Sequence, residues 1–182
     1  MICIVTISDA LTILNQGKIL AYPTEAVYGL GCCPFDQKAV GHLASLKGRS
    51  LDQGFILLIS DWTQLDPLIQ VQPSFVMDRV RATWPGPVTW IFPKSEIVPD
   101  WISGKHGGVA IRMTAHPIAR ALCSVGPIVS TSANRSGMTP AVDERSIRAQ
   151  FSEGIDACLV GDLGGALQPS EIHDLLTGKQ VR

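Results

Sequence analysis

With 182 residues, 46% of them apolar and 17% charged, the chain has the composition of an ordinary globular protein long enough to bury a full core, which argues against disorder. A formal net charge of -1 excludes a histone-like polycation but leaves room for a local basic face assembled by folding. The cysteines, with Cys32 and Cys33 adjacent, show no metal-ligand spacing and read as buried or incidental thiols of a reducing compartment.

No cationic leader precedes an apolar segment, and nowhere do ~18 apolar residues run together. A single cytoplasmic domain over residues 1–182, with no membrane contact, is therefore expected. Residues 2–6 form a brief strand, and Ser8 caps a helix over 9–16, with Leu11 and Leu14 inward and Gly17 as its stop. Residues 18–22 read as a strand. It leaves through Tyr22-Pro-Thr-Glu-Ala-Val-Tyr-Gly-Leu-Gly31, where Pro23 removes a ladder donor and Gly29 and Gly31 allow close backbone approach. Thr24 and Glu25 then sit on a constrained turn, which reads equally well as a functional loop or as a tight connection with a threonine cap.

Residues 36–46 place Ala39, Val40, Leu43 and Leu46 on one helical face, and the helix ends in Lys47-Gly-Arg-Ser50. Cations there complement the helix dipole, worth about 0.3 to 1 kcal/mol, but they also stand immediately before a loop that enters a buried strand near Phe55. A short helix broken by Pro67 is expected over 61–69, and a second over 73–83 with Phe75, Val76 and Val80 inward. Trp84-Pro-Gly-Pro87 is a stiff corner feeding the strand 88–92. Residues 97–106 are polar and irregular, and glycines at 104, 107 and 108 around Lys105 and His106 make this segment a candidate flap.

A strand over 109–113 carries Arg112 at its end, and His116-Pro117 opens a helix to about residue 125, with His116 as its cap. Pro127-Ile-Val-Ser-Thr-Ser-Ala-Asn-Arg-Ser-Gly137 follows: residues 127–129 end a buried strand and 130–137 form a polar loop at its carboxyl end, the usual place for a site in an open α/β sheet. A helix over 143–151 and a strand over 157–160 come next. Ser170 then starts a short strand, and Thr177-Gly-Lys makes a closing turn. Strands and helices alternate without strict βαβ regularity, so the fold class is α/β, a twisted sheet of mixed parallel and antiparallel strands with helices on its faces.

The loops offer cations at Lys47, Arg49 and Arg112 and hydroxyl or amide donors at Thr24, Ser130, Thr131, Ser132, Asn134 and Ser170, with no carboxylate pair. Forked guanidinium groups and hydroxyls suit a dense anion such as a phosphate. There is neither a P-loop nor a dinucleotide fingerprint. From the residues alone, the reading is an anion-binding α/β enzyme that takes a nucleotide.

The ordered series Tyr22-Pro-Thr-Glu-Ala-Val-Tyr-Gly-Leu-Gly31, Lys47-Gly-Arg49, Trp84-Pro-Gly-Pro-Val-Thr89, Val109-Ala-Ile-Arg112, Ser130-Thr-Ser-Ala-Asn-Arg-Ser-Gly137 and Pro169-Ser-Glu-Ile172 resembles the YrdC/TsaC family of threonylcarbamoyl-AMP synthases, in its short single-domain form. The resemblance implies a large open cavity and the conversion of L-threonine, bicarbonate and ATP, with Mg²⁺, into L-threonylcarbamoyl adenylate and pyrophosphate. It further implies a threonylcarbamoyl transferase complex that receives the product for tRNA anticodon-loop modification, and a contact with tRNA. By motif position, Lys47 and Arg49 match the family's Lys-x-Arg pair and Ser132 and Asn134 its Ser-x-Asn pair, as catalytic and nucleotide-binding residues with no resident metal. Thr24 and Arg112 match threonine contacts, Arg112 on the carboxylate, and Ser130 and Ser170 line the substrate pockets. Ser50 stands where the family usually has proline. The competing readings are a non-catalytic double-stranded RNA or tRNA binding module and a related carbamoyl- or acyl-adenylate enzyme that takes another amino acid.

Overall fold

The computed structural model describes residues 2–151 and 153–181. Nine strands form one open sheet: β1 (Cys3–Ile4), β2 (Leu20–Pro23), β3 (Tyr28–Gly31), β4 (Ile56–Ile59), β5 (Val88–Pro93), β6 (Gly108–Met113), β7 (Ile128–Ser132), β8 (Ala157–Cys158) and β9 (Glu171–Asp174). Their order across the sheet is β1-β8-β2-β3-β7-β4-β6-β5-β9. Four pairings are parallel, β1 with β8, β2 with β8, β4 with β6 and β5 with β9, and the other four are antiparallel. The mixed α/β sheet expected from the alternation is thus present, without closure.

The helices are α1 (Ile7–Asn15), α2 (Gln37–Lys47), α3 (Ser74–Arg81), α4 (Asp100–Ser103), α5 (Pro117–Leu122) and α6 (Glu144–Gln150). Asp36 caps α2 by accepting from the Lys38 and Ala39 amides, and Gly48 ends it in the left-handed region at φ 63°. Asp143 caps α6 through a capping box with Ser146. The cap of α1 is Thr6, not Ser8: Thr6 and Asp9 exchange side-chain and backbone bonds in a capping box, which starts the helix two residues earlier than expected.

Other local expectations also change. In place of one helix broken by Pro67, the stretch 61–69 makes two short 3-10 turns, Trp62–Gln64 and Asp66–Leu68, with Pro67 near the start of the second. On α3, Val76 and Val80 point inward but Phe75 is 73% exposed, because the buried stripe runs through i and i+4 with Met77 at its margin. The candidate flap is tied down instead of loose. Trp101 Nε1 donates to the Pro34 carbonyl at 3.0 Å, Phe55 N–H to the Ile102 carbonyl at 2.8 Å, and Lys105 N–H to the Asp52 carbonyl at 3.0 Å. β7 runs through Ser132, so Ser130 and Ser132, expected in a loop, are strand residues two positions apart that share one face of the sheet.

That alternation positions the site. One face of the sheet buries Leu57, Ile59, Val109, Ile111 and Val129 against α2 and α3. The opposite face starts apolar, with Leu20, Tyr22, Leu58 and Ile128 packed under α1 and α5. Further along, that face presents Ile56, Ala110, Ser130 and Ser132 to the floor of a cavity.

Candidate functional site

The cavity has a volume of about 780 Å³, within the range of ~300 to 1,000 Å³ typical of ligand sites. Its wall includes Thr24, Glu25, Arg49, Arg112, Ser130, Ser132 and Ser170, drawn from five separate segments of the chain. Register sets Ser132 and Arg112 apart along the sheet. Ile56 pairs with Ser130 on one side and Ala110 on the other, and Gly29 pairs with Ser132. Ser132 therefore lies level with Gly54 and Gly108, whereas Arg112 pairs with Leu58 at the other end. Gly108 and Arg112 are four residues apart on one strand, about 13 Å.

At the first end, Arg49 Nη2 donates to the Gly54 carbonyl at 2.9 Å, and its guanidinium lies 5.3 Å from the centre of the Phe55 ring. Ser50, in place of the family's proline, caps the 3-10 turn Leu51–Gln53 by accepting from the Asp52 amide, so this loop is held by a hydrogen bond instead of a ring. Lys47 is only 5% exposed and stands behind the wall. Its ammonium donates to the Ser132 and Asn134 carbonyls, the latter at 2.7 Å, and its own carbonyl accepts from the Ser136 amide at 2.9 Å. Burial, and then the charge of Arg49, pull Lys47 down to about 8 from the usual lysine value. Asn134 Oδ1 accepts from the Ser132 hydroxyl at 2.6 Å, while its amide nitrogen donates to the Arg135 and Met138 carbonyls. Lys47, Ser132 and Asn134 are one network that fixes the turn after β7, with Ser132 reaching the cavity and Asn134 behind it.

At the other end, Arg112 Nη1 donates to Glu25 Oε2 at 2.6 Å, both groups being buried. Glu25 Oε1 accepts from the Thr114 hydroxyl at 2.7 Å and the Ala115 amide at 3.1 Å. Burial alone would raise the Glu25 carboxyl, but Arg112 and the Thr114 hydroxyl outweigh it and hold the group below the usual range, ionised. Thr24 closes its turn by donating its hydroxyl to the Val27 carbonyl at 2.6 Å. Ser170 Oγ accepts from the Thr89 hydroxyl at 3.1 Å, which brings it to the Arg112 end of β5.

Between the ends, Ser130 Oγ accepts from the Tyr22 hydroxyl at 2.9 Å. Burial pushes the Tyr22 phenol up, against the pull of Ser130, so Tyr22 keeps the proton it donates to Ser130. Gly31 allows this packing: a Cβ there would stand 2.6 Å from the Val129 carbonyl oxygen and 2.9 Å from Tyr22 Cε1. Sequence reasoning missed Tyr22 and Glu25 as site residues. Glu25 was visible as a carboxylate next to Thr24 on a constrained turn, whereas nothing local marked Tyr22.

A cleft with a cation at each end and hydroxyls between them can hold two anionic groups apart until they are aligned. The family model of Sua5, YciO and YrdC proteins, described as telomere recombination, matches residues 12–182. A Coxiella burnetii protein named threonylcarbamoyl-AMP synthase is 48% identical over 179 residues, covering 97% of this chain and 96% of that one. A P. abyssi Sua5, solved in complex with L-threonine, superposes with a TM-score of 0.86 at 36% identity over 93% of this chain and 51% of that one, so this chain spans about half the Sua5 length. E. coli YciO superposes with a TM-score of 0.80 at 25% identity, covering 92% of this chain and 82% of that one.

Proposed function

The chain belongs to the Sua5, YciO and YrdC family, and from that premise we propose that it is a threonylcarbamoyl-AMP synthase, joining L-threonine, bicarbonate and ATP into L-threonylcarbamoyl adenylate with release of pyrophosphate. The observation that carries the reading is the division of one cavity into an Arg49 end and an Arg112 end with the β7 hydroxyls between them.

The chemistry needs that division. The threonine amine and bicarbonate first give a carbamate and water, so the nucleophile is dianionic. One carbamate oxygen then attacks the α-phosphorus, a P–O bond to the β-phosphate breaks, and pyrophosphate leaves. The main obstacle is repulsion between a dianion and a triphosphate, which fixed cations lower by positioning and electrostatics more than by proton transfer. Arg112, with Thr24, Ser130 and Ser170 around it, receives the amino acid, its guanidinium on the carboxylate. Arg49 and Ser132 receive the phosphates. Lys47 and Asn134 act on the same end from behind, Lys47 by its charge and both by fixing the turn that carries Ser132.

Mg²⁺ enters with ATP as part of the substrate, offsetting triphosphate charge. Among the described residues no cluster of three or more His, Cys, Asp or Glu side chains is arranged to hold a metal. No helix among the described residues is long and apolar enough to cross a membrane, and a cytoplasmic enzyme is the setting that fits ATP and tRNA chemistry. The unstable adenylate is passed to a threonylcarbamoyl transferase complex acting on the tRNA anticodon loop, with tRNA contact at the hand-over.

The test is incubation with Mg²⁺–ATP, bicarbonate and labelled L-threonine, omitting each in turn. Label should enter an adenylate only in the complete mixture. Binding of RNA without any adenylate would favour the binding-module reading, and adenylate formed with another amino acid but not threonine would move the substrate.

A further inference from the structure

Glu25 takes no part in the chemistry above, yet both its carboxylate oxygens are engaged in the cavity wall. Oε2 takes Arg112 Nη1, and Oε1 takes the Thr114 hydroxyl and the Ala115 amide. Glu25 is itself clamped. Its backbone carbonyl accepts from the Ala166 amide at 2.9 Å, the Thr24 carbonyl accepts from the Gly164 amide at 3.0 Å, and a Cβ at Gly164 would stand 2.9 Å from Glu25 Cα. Arg112 has no comparable anchorage, for its Nε is buried without a partner among the described residues. A long, flexible side chain on a strand end is therefore oriented by a single short bond to a carboxylate that cannot move independently.

We propose that Glu25 is a positioning residue for the amino-acid substrate: it turns Arg112 Nη1 into the wall and so fixes the edge of the guanidinium that the cavity presents to an α-carboxylate. By balancing the Arg112 charge, it also keeps that end from competing with Arg49 for the triphosphate. The inference rests on the synthase reading, with Arg112 receiving the threonine carboxylate. It adds a residue that acts through Arg112 without touching substrate.

The test uses steady-state kinetics and threonine titration calorimetry on the full chain and three variants, Glu25→Gln, Arg112→Met and the double variant. Glu25→Gln should raise KM for threonine about tenfold while KM for ATP stays within about twofold, and ATP should become a competitive inhibitor against threonine. In the Arg112→Met background, adding Glu25→Gln should change threonine affinity by less than about twofold, since a residue acting only through Arg112 has nothing left to act on. If Glu25→Gln does not fold, the Arg112→Met and double variants still give that comparison. Equal shifts in both KM values, or a further tenfold loss in the Arg112→Met background, would overturn the proposal. A wild-type chain that binds threonine but makes no adenylate sinks the synthase reading alone and leaves calorimetry to decide on Glu25. One that binds no threonine overturns both.

Discussion

Replacing Arg49 by alanine removes a cation from the cavity wall, a hydrogen bond to the Gly54 carbonyl and a guanidinium resting over Phe55. The structural part of the loss is modest. One part-buried hydrogen bond from a charged group to the Gly54 carbonyl and one cation–π contact together contribute about 2 kcal/mol. For a domain of this size, that lowers Tm by about 4 to 8 °C, leaving the chain folded at assay temperature. The functional part is larger, because a donor aimed at charge that develops in the transition state is worth about 3 to 4 kcal/mol, or ~10²- to 10³-fold in kcat. Arg49→Lys should recover the charge but not the fork, since one ammonium cannot serve both Gly54 and a phosphate, and activity should fall between the two. The assay is threonine-dependent pyrophosphate release and adenylate formation, with thermal unfolding measured on the same preparations. An Arg49→Ala variant that is folded and within threefold of wild-type kcat/KM would refute the electrostatic role given to this end.

Lys47 links pH to both stability and binding. Its folded value of about 8 lies below the ordinary lysine value, so between those limits the unfolded chain holds the proton and the folded one does not. This group's contribution to stability therefore grows as pH rises through that window. Over the same range the Arg49 end loses a charge, so KM for Mg²⁺–ATP should climb above about pH 8 in the wild type and stay flat in Lys47→Arg, read from KM against pH; parallel curves would exclude Lys47. L-Serine should compete for the amino-acid pocket better than L-valine, since losing a methyl costs ~1 to 3 kcal/mol whereas losing a hydroxyl strands buried partners. Pyrophosphate release as fast with valine as with threonine would contradict this. Gly31→Ala should cost about 1 to 3 kcal/mol by overpacking Val129 and Tyr22, lowering Tm and raising KM for threonine as Tyr22 is pushed off Ser130; an unchanged Tm would show that the strand yields.

Signals carried by a few neighbouring residues were legible in the sequence. The helix over 36–46 that ends at Lys47-Gly48, the helix after Asp143 and the turn at Thr24 and Glu25 lie where their local chemistry points, whereas Tyr28–Gly31, expected as part of the loop leaving β2, is strand β3. Thr6 carries a signal of the same local kind, since Thr6-Ile-Ser-Asp9 is itself a capping-box pattern. Phe75 was misjudged because adjacent apolar residues on a helix cannot all face the core, and only packing decides which is left out. Ser130 and Ser132 were recognised as site candidates but placed in a loop, for polarity outweighed the strand they continue.

Long-range pairing was not legible. Arg112 looks like a surface residue on a strand end, and only the parallel pairing of β6 with β4 and the return of the 24–27 turn bring Glu25, 87 residues away, against it. Lys47 shows the opposite case. Its place at a helix end suggests a charge facing a ligand, whereas the close approach of the turn after β7 gives it two carbonyls to hold and a place behind the wall.

Two mutually repelling substrates meet in one hollow, held from opposite ends. A crystal structure of the chain with L-threonine and a non-hydrolysable Mg²⁺–ATP analogue tests this most directly. The threonine carboxylate should lie ~3 Å from the Arg112 guanidinium, and the phosphates should lie at the Arg49 and Ser132 end, with the amine facing the α-phosphorus. A nucleotide seated on Arg112, or threonine bound outside the cavity, would contradict it.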